Sequence, residues 1–293
     1  MGRVSSGRME TFLAVARLGS IRRAAAQLHV TEAAVSAAVT HVEKQLGAKL
    51  IVRSGRGIAL SEAGRVYAEY CRGILGLMKE AHAAVRQADA GRLRIGVVAT
   101  AGESVVLRPL ASFRRRYPDV ELSLSIQPRD VLFLELQHHE TDLVIAGRPP
   151  HDAGLVIQAR RPSTLVVVGT DNPDPRHTTW LLRGTGSGTR EATLALLDRL
   201  QIDPPTLTLG SHGAVIAAAR EGLGITLIHS DAVGEHLRSG ALHTIDVPGT
   251  PLDRPWHAVT TPTPTLTTRL FLAHLIDPAE TGPADAFHAA IGP

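Results

Sequence analysis

Residues 12–53 read FLAVARLGSIRRAAAQLHVTEAAVSAAVTHVEKQLGAKLIVR, and this stretch decides the fold of the first third of the chain. Apolar residues recur at helical spacing over 8–18, which predicts a first helix. Ser20 is expected to cap a second short helix that runs through Leu28, and Thr31 is expected to cap a third. Two short helices joined by a three-residue turn, the second of them amphipathic, form a helix-turn-helix.

The third helix is predicted to bury one face and expose the other. Its apolar positions at helical spacing are Val35, Val39, Val42 and Leu46. The residues predicted to face outward are Glu32, Ala33, Ser36, Ala37, Thr40 and Lys44. Small side chains would let this face enter a major groove, and hydroxyl groups can bond to base edges or phosphates. The same periodicity also fits a three-helix bundle that binds no DNA.

A β-hairpin is predicted directly after the third helix. Its strands are residues 50–53 and 57–60, and its turn is residues 54–56. Arginines at the tip of such a wing can hold backbone phosphates beside the major groove. The arginines predicted to contact phosphate are Arg22, Arg23, Arg53 and Arg56. Each of them, taken singly, also fits a solvated surface charge.

Charge is unevenly distributed along the chain. The net charge is +3, but residues 1–91 carry 13 Lys and Arg against 7 Asp and Glu. The remainder, residues 92–293, carries 18 basic and 21 acidic residues. A basic segment attached to a mildly acidic one suggests a module that binds a polyanion, joined to a second module of another kind.

Residues 9–64 resemble the N-terminal domain of LysR-type transcriptional regulators. The resemblance is carried by the stretch quoted above and by GIALSEAG at residues 57–64. It implies a winged helix-turn-helix that binds double-stranded DNA through the residues named above, with Thr31 at the start of the recognition helix. The family commonly has Gln-Pro where this chain has Glu32-Ala33, and a longer polar residue at Ala37. The operator sequence therefore cannot be transferred from the family.

A long helix is predicted between Ser61 and Ala90, a stretch without proline. Apolar or small residues alternate there at spacings of four and three, the pattern of a coiled-coil seam. The seam positions are Ala63, Tyr67, Tyr70, Ile74, Leu77, Ala81, Ala84 and Ala88. The helix could bury this seam against a second copy or against its own effector domain. The resemblance implies a dimerisation helix and hence a homodimer or homotetramer. Cys71 is expected to be a buried side chain that fills space in the core.

Strand and helix patterns alternate after residue 92, which predicts two α/β units with parallel sheets. The expected strands are 93–98, 120–126, 142–146, 163–168, 180–182, 206–209 and 225–228. Residues 100–104 are expected to lead into a helix that runs through Phe113, and further helices are expected at 130–139, 191–200 and 214–221. The layout resembles the two-lobed, periplasmic-binding-protein-like effector domain of the same family. That resemblance implies that residues 256–259 cross back into the first lobe and that 269–276 form its last helix, while the tail after Asp277 is expected to be loose.

These patterns predict a multi-domain α+β chain with three parts. Residues 1–62 are the winged helix-turn-helix domain, 63–91 the linker helix and 92–293 the effector-binding domain. Within the last part, the first lobe comprises 92–161 and 257–276, and the second lobe comprises 162–256.

The strongest local chemistry lies in the run from Arg183 to Arg190, RGTGSGTR, ahead of a predicted helix. Glycines let backbone N–H groups turn toward one point, and a helix N-terminus adds partial positive charge. The run resembles the anion-binding loops of substrate-binding proteins, although it could also be a glycine-rich connector. The effector is expected between this loop and the end of the first strand. The residues predicted to bind it are Thr100, Ala101, Ser104, Gly147, Ser187, Gly188, Thr189, Arg190 and Gly222.

Composition and motif spacing exclude several other classes of protein. The chain has no run of the ~18–20 apolar residues that a membrane span needs, and its first residues do not match a signal peptide. Its one cysteine fits a reducing compartment, so a cytoplasmic location is expected. No His, Cys and Asp set has zinc-like spacing, and no motif places a catalytic triad. We therefore expect no metal, no cofactor and no enzyme activity.

The sequence favours a DNA-binding regulator whose promoter binding is modulated by a small carboxylate or other oxyanion. RNA polymerase is a further candidate partner. The alternative is a solute-sensing protein that acts through protein contacts and carries a vestigial DNA-binding domain.

Overall fold

The computed structural model describes residues 4–54, 57–86, 91–283 and 285–290. The chain divides into two compact units, residues 1–88 together with 137–140, and residues 89–136 together with 141–293. No helix in the described part of the chain is long and apolar enough to cross a membrane.

The described part of the N-terminal unit contains four helices and one hairpin. Its elements are α1 Ser6–Leu18, α2 Ile21–Leu28, α3 Glu32–Leu46, β1 Ile51–Ser54, β2 Gly57–Leu60 and α4 Glu62–Arg86. The two strands are antiparallel, with Ser54 opposite Gly57 at the end of the ladder. This is the predicted winged helix-turn-helix, followed by the predicted long helix.

Local capping explains where the first helices begin and end. The hydroxyl of Ser20 accepts from the backbone N–H of Arg23, and that of Thr31 accepts from Ala34. Each bond satisfies an N–H group that the first turn would otherwise leave without a partner. Gly19 and Gly47 end α1 and α3 in the left-handed conformation, which glycine adopts without steric cost.

The core of the N-terminal unit corrects two predictions about buried faces. Val35, Val39 and Val42 are buried, but Leu46 is 44% exposed because α3 projects beyond the core in its last turn. Tyr67, predicted for the seam of the long helix, instead places its ring 5.3 Å from that of Phe12. Cys71 is fully buried, as expected of a side chain that fills space in the core.

The other side of α4 is apolar and exposed. Tyr70, Ile74 and Leu77 are 68%, 43% and 53% exposed. They follow one another along a single face at four- and three-residue spacing. The side chains of the last predicted seam positions, Ala84 and Ala88, and the predicted hinge residues Asp89 and Ala90 lie outside the described residues.

The second unit begins with a lobe whose elements alternate between strand and helix. They are β3 Arg92–Val97, α5 Ala99–Ser104, α6 Leu107–Arg116, β4 Glu121–Ile126, α7 Arg129–Gln137, β5 Leu143–Ala146 and β6 Val156–Arg161. Residues 100–104, predicted to lead into a helix through Phe113, form a short helix of their own, α5, and the predicted helix follows as the separate α6. Pro109 accounts for the division: it lacks an N–H and would clash inside a continuous helix, but it fits the first turn of α6.

The second lobe follows without interruption. Its elements are β7 Thr164–Gly169, β8 Trp180–Arg183, α8 Gly188–Leu200, β9 Thr206–Leu209, α9 His212–Arg220, β10 Thr226–His229, α10 Ser230–Arg238, β11 His243–Ile245 and β12 Leu252–Asp253. Strands β10, β11 and β12 all pair with β7 in antiparallel orientation, whereas β8 and β9 are parallel. The second sheet is therefore mixed rather than parallel as predicted.

The chain then returns to the first lobe through β13 Trp256–Thr260, α11 Leu266–Ile276, α12 Pro278–Thr281 and β14 His288–Ala289. The predicted return at 256–259 is present, and the resulting six-stranded sheet has the order β14-β6-β13-β5-β3-β4. Strand β13 runs antiparallel between β5 and β6, so this sheet is also mixed.

The described part of the segment after Asp277 is ordered, which corrects the expectation of a loose tail there. The Asp277 side chain caps α12 by accepting from the N–H of Ala279. Phe287 is 1% exposed in the core of the first lobe, and β14 adds a strand beside β6. Burial of one large aromatic side chain outweighs the flexibility that the neighbouring glycine and proline suggest.

Candidate functional site

The exposed half of α3 has the composition of a groove-reading surface. Every outward position predicted on it is exposed: Glu32, Ala33, Ser36, Ala37, Thr40 and Lys44. Thr31, just before the helix, uses its oxygen as a cap acceptor. Its O–H therefore remains available as a donor to a phosphate or base.

The predicted phosphate-binding arginines that the structure describes are exposed, and they differ in their hydrogen bonds and in the elements that carry them. Arg22 and Arg23 are exposed on the first turn of α2, and the guanidinium of Arg23 donates to the carbonyl of Leu18. Arg53 is exposed on β1, opposite Ile58 of β2. Arg56 lies outside the described residues.

Glu43 ties the recognition helix to the wing, a role that the sequence analysis missed. Its carboxylate is 7% exposed and accepts the backbone N–H groups of Leu50 and Ile51 at 2.9 and 3.3 Å. Lys49 adds an ion pair at 2.7 Å. Burial alone would raise the pKa of Glu43, but these bonds and the Lys49 charge lower it below its ordinary value. The carboxylate therefore stays ionised and holds the start of β1 against α3.

A cleft of about 320 Å³ lies between the lobes of the second unit, close to the lower limit for pockets that bind small molecules. It is lined by residues 98–100, 126–129, 147, 183–189, 210, 229 and 254–256. Several of these positions follow the carboxyl ends of β3, β5 and β8. Ligands of open α/β sheets commonly bind at such strand ends.

Five of the predicted effector residues line the cleft: Thr100, Gly147, Ser187, Gly188 and Thr189. Gly188 and Thr189 begin α8, so that the N-terminus of a 13-residue helix faces the cleft. Ser187 occupies the cap position, but its side chain makes no cap hydrogen bond. Its hydroxyl is therefore free to act as a donor to a ligand.

The other four predicted effector residues do not line the cleft. They are Ala101, Ser104, Arg190 and Gly222. The guanidinium of Arg190 instead donates to the carbonyl of Arg183 and the hydroxyl of Thr208, which fixes α8 to strands β8 and β9. Ser104 is at the last position of the short α5, and Ala101 is fully buried. Gly222 makes a left-handed turn after α9.

Three arginines that the sequence analysis did not assign to the effector line the cleft: Arg129, Arg183 and Arg254. Among the described lining residues there is no aspartate or glutamate. Arg183 could have been found from the sequence, since it directly follows a predicted strand and precedes the glycine run. Arg129 and Arg254 carry no such local signal, because the folding of distant segments brings them to the cleft.

His229 and Trp256 form one wall of the cleft, with their rings stacked 4.2 Å apart. Burial lowers the pKa of His229 to about 4, although Asp231 opposes that shift. His229 is therefore neutral near pH 7. The wall presents an uncharged aromatic surface beside the three arginines.

Comparison with protein families assigns both units. Residues 7–65 match the model of the bacterial regulatory helix-turn-helix protein, lysR family, and residues 86–279 match that of the LysR substrate binding domain. The chain belongs to the LysR family of transcriptional regulators. It is a DNA-binding regulator modulated by a small effector, and it belongs to a family of regulators rather than enzymes.

Known LysR-family proteins resemble this regulator over most of its length. The HTH-type transcriptional regulator CfxR of Cupriavidus necator is 34% identical over 264 residues, which cover 85% of this chain and 83% of CfxR. The crystal structure of ArgP from Mycobacterium tuberculosis has a TM-score of 0.71 and 20% identity, covering 93% of this chain and 96% of ArgP, and supports the fold alone.

The regulatory domain of CcmR from Synechocystis PCC6803, solved in complex with 2-PG, is similar to this regulator at 28% identity. Its TM-score is 0.58, and the match covers 66% of this chain and 98% of that domain. The fold class inferred from the sequence, a winged helix-turn-helix followed by a two-lobed effector domain, is thereby confirmed.

Proposed function

We propose that this LysR-family regulator responds to a small oxyanion that binds in the cleft between its two lobes. The observation that carries the proposal is the charge of the cleft. Its described lining contains three arginines and no acidic side chain. A carboxylate or phosphate group would compensate this charge, and guanidinium groups bind such oxyanions through paired hydrogen bonds.

The backbone of the cleft supports the same ligand class. The N-terminus of α8 contributes N–H groups and partial positive charge at Gly188 and Thr189. Gly186 has a φ of 82°, a conformation that favours glycine and turns the chain toward that helix start. The anionic ligand 2-PG in the related CcmR domain is consistent with such a site.

We further propose that the protein acts as a homo-oligomer through the exposed face of α4. If α4 had no partner, Tyr70, Ile74 and Leu77 would leave a row of large apolar side chains in water, which is unfavourable. A second copy would bury them as a coiled-coil seam. A two-fold dimer would also present two recognition helices to two operator half-sites.

The proposed DNA contacts are the exposed residues at and after the start of α3 together with Arg22, Arg23, Arg53 and Arg56. The proposed division of the chain is 1–62, 63–91 and 92–293, with the ordered tail added to the first lobe. A cytoplasmic location and contact with RNA polymerase remain predictions.

Fluorescence anisotropy of the full chain on labelled DNA from beside its own gene tests this function. DNA affinity should fall steeply with salt, because bound phosphates release counterions. Arg53→Ala should weaken binding and lower the salt slope by about one for each phosphate that the variant no longer binds. Arg269→Ala, an equal charge change on the exposed surface of α11, is the control.

The same assay, together with thermal unfolding, tests the effector. The probes are phosphate, sulfate, glycolate and 2-phosphoglycolate, with ethylene glycol as the uncharged control. At least one anion should raise the unfolding temperature and change DNA binding. If none of the four anions does either at millimolar concentration, the oxyanion proposal is wrong.

A further inference from the structure

Arg183 is a cation placed inside the cleft without an acidic partner. It is the last residue of β8, it lines the cleft, and it is only partly exposed. Its Nε atom is buried and has no hydrogen-bond partner. The described residues offer it no ion pair; Glu103 of α5 attracts its charge from a distance without contacting it. Its donors are therefore largely unused.

His212, the first residue of α9, contacts this guanidinium and is 3% exposed. Nδ1 of His212 lies 3.4 Å from Nη1 of Arg183 and 3.5 Å from Oγ1 of Thr100. A guanidinium can only donate, so Nδ1 must accept and the ring proton must be on Nε2. Burial, together with the Arg183 charge, lowers the pKa of His212 to about 4. His212 is therefore neutral and leaves the charge of Arg183 uncompensated.

The neighbouring arginines differ from Arg183 in this respect. Arg129 donates to Asp130 and to the carbonyl of Arg148. Arg190 is fixed to the carbonyl of Arg183 and to Thr208. Arg254 is exposed, so water screens its charge. Arg183 alone among these four has a buried donor without a hydrogen-bond partner.

A partly buried cation with an unpaired donor is costly in the free protein. An oxyanion would compensate this charge, since two of its oxygens can accept from the two Nη groups in a two-point contact. The N–H groups at the start of α8, which follows Arg183 after the glycine run, face the same cleft. They can accommodate a further oxygen of the same ligand.

We propose that Arg183 is the residue that selects an anionic effector, binding its carboxylate or phosphate group, and that His212 is a positioning residue that holds the guanidinium in place. This inference rests on the proposed function and names the residue on which that function depends. His212 also contacts Thr100 of the first lobe. It therefore links the guanidinium of Arg183, when an anion is bound there, to the opposite wall of the cleft.

Isothermal titration calorimetry of the full chain with 2-phosphoglycolate, inorganic phosphate and glycolate tests the inference. Arg183→Gln should weaken binding of the tightest of these anions about 10- to 100-fold, because it removes a charged, two-point hydrogen bond. Arg220→Gln is the matched control: the same substitution at an exposed position of α9, outside the cleft, should leave the affinity unchanged. The phosphate and glycolate titrations show which oxyanion Arg183 prefers.

The unfolding temperature of Arg183→Gln and three further variants separate ligand binding from folding. Arg183→Gln should leave the unfolding temperature of the free protein unchanged or raise it, whereas a structural arginine would lower it. Arg183→Lys keeps the charge but cannot make the two-point contact, so it should lose part of the affinity. His212→Gln retains an acceptor and should bind within about threefold of the wild type, whereas His212→Leu should lose about tenfold.

The outcomes distinguish this inference from the function on which it rests. If the wild-type protein binds none of the three anions and sulfate does not bind either, the oxyanion proposal fails. If the wild type binds one and Arg183→Gln binds it equally well, the function stands and the assignment of Arg183 is overturned. Equal affinities for His212→Gln and His212→Leu would overturn the positioning role alone.

Discussion

The indole Nε1 of Trp256 donates a hydrogen bond to Oδ2 of Asp231 across 2.8 Å. The same carboxylate accepts from the hydroxyl of Ser163 at 2.6 Å and forms an ion pair with Arg161 at 2.9 Å. Arg161 ends β6 and Trp256 begins β13, the two strands through which the chain passes between the lobes. Arg161 also pairs with Asp285 of the C-terminal segment. One buried network therefore joins a wall of the cleft, both crossings between the lobes and the tail.

We expect Asp231→Ala to destabilise the second unit by about 2 kcal/mol or more, because Arg161 would keep only its pairing with Asp285 and the hydroxyl of Ser163 would lose an acceptor. The indole N–H of Trp256 would lose its acceptor as well. Both tryptophans of the chain, Trp180 and Trp256, lie in this unit, so their fluorescence during urea unfolding measures its stability. Asp174→Ala, which removes an exposed carboxylate from the same unit, is the control and should have a small effect. Equal effects of the two variants would contradict the importance of the network.

The stability of the second unit should fall as the pH is lowered from about 6.5 to about 4. His212 and His229 have an ordinary pKa of 6.5 but pKa values of about 4 in the folded chain, mainly because of burial. Over that interval the unfolded chain binds protons that the folded chain does not, so acid favours unfolding. Each histidine contributes a slope approaching ~1.4 kcal/mol per pH unit.

Tryptophan fluorescence during urea unfolding at several pH values measures that slope. The double variant His212→Gln with His229→Gln should flatten it between pH 6.5 and 4. His243→Gln, at an exposed position of β11, should leave it unchanged. A double variant with the wild-type slope would show that other groups cause the acid sensitivity.

Glu43→Ala should weaken DNA binding through loss of wing placement rather than loss of a DNA contact. The change frees two backbone N–H groups, of Leu50 and Ile51, and is expected to cost about 2 kcal/mol of stability. Lys49→Ala removes the other half of the ion pair, but this side chain is 78% exposed. It should cost less than about 1 kcal/mol.

Circular dichroism on heating and anisotropy on the same DNA measure the two effects. The Glu43 variant should bind more weakly than the Lys49 variant even though it removes a negative charge, a change that would by itself favour DNA binding. Stronger binding by the Glu43 variant would mean that charge, not wing placement, dominates.

Ile74→Asp combined with Leu77→Asp should reduce the mass of the protein in solution. Two carboxylates on the exposed face of α4 would have to be buried in the proposed seam, which is costly without partners. Analytical ultracentrifugation gives the mass. Leu266→Asp, at a 67% exposed leucine of α11, makes the same kind of change elsewhere and should not alter it. An unchanged mass for the α4 variant would exclude that face as the contact between copies.

Features that depend on neighbouring residues could be predicted from the sequence, whereas features that depend on residues distant in sequence could not. Ser20 and Thr31 were predictable as helix starts because their effect is confined to one turn of backbone. Strand β6, VIQARR at residues 156–161, was missed because half of its residues are polar or charged and they do not alternate strictly with apolar ones. Its place in the sheet comes from its neighbours, β13 and β14, which are distant in sequence. The ordered tail escaped prediction for the same reason, since Phe287 finds its core only in the folded lobe.

The sequence by itself determined the winged helix-turn-helix, the long helix, the two α/β lobes and a glycine loop that faces their cleft. These follow from caps, periodicity and turn residues, whose energies are local. Only the tertiary structure decided which charges meet in the cleft. Arg183 lies on a wall of the cleft and Arg190, seven residues later, is fixed away from it. Arg183 ends β8, whereas Arg190 lies in the first turn of α8 and is held by its hydrogen bonds to β8 and β9. A side chain reaches the cleft only if the packing of every element around it allows this.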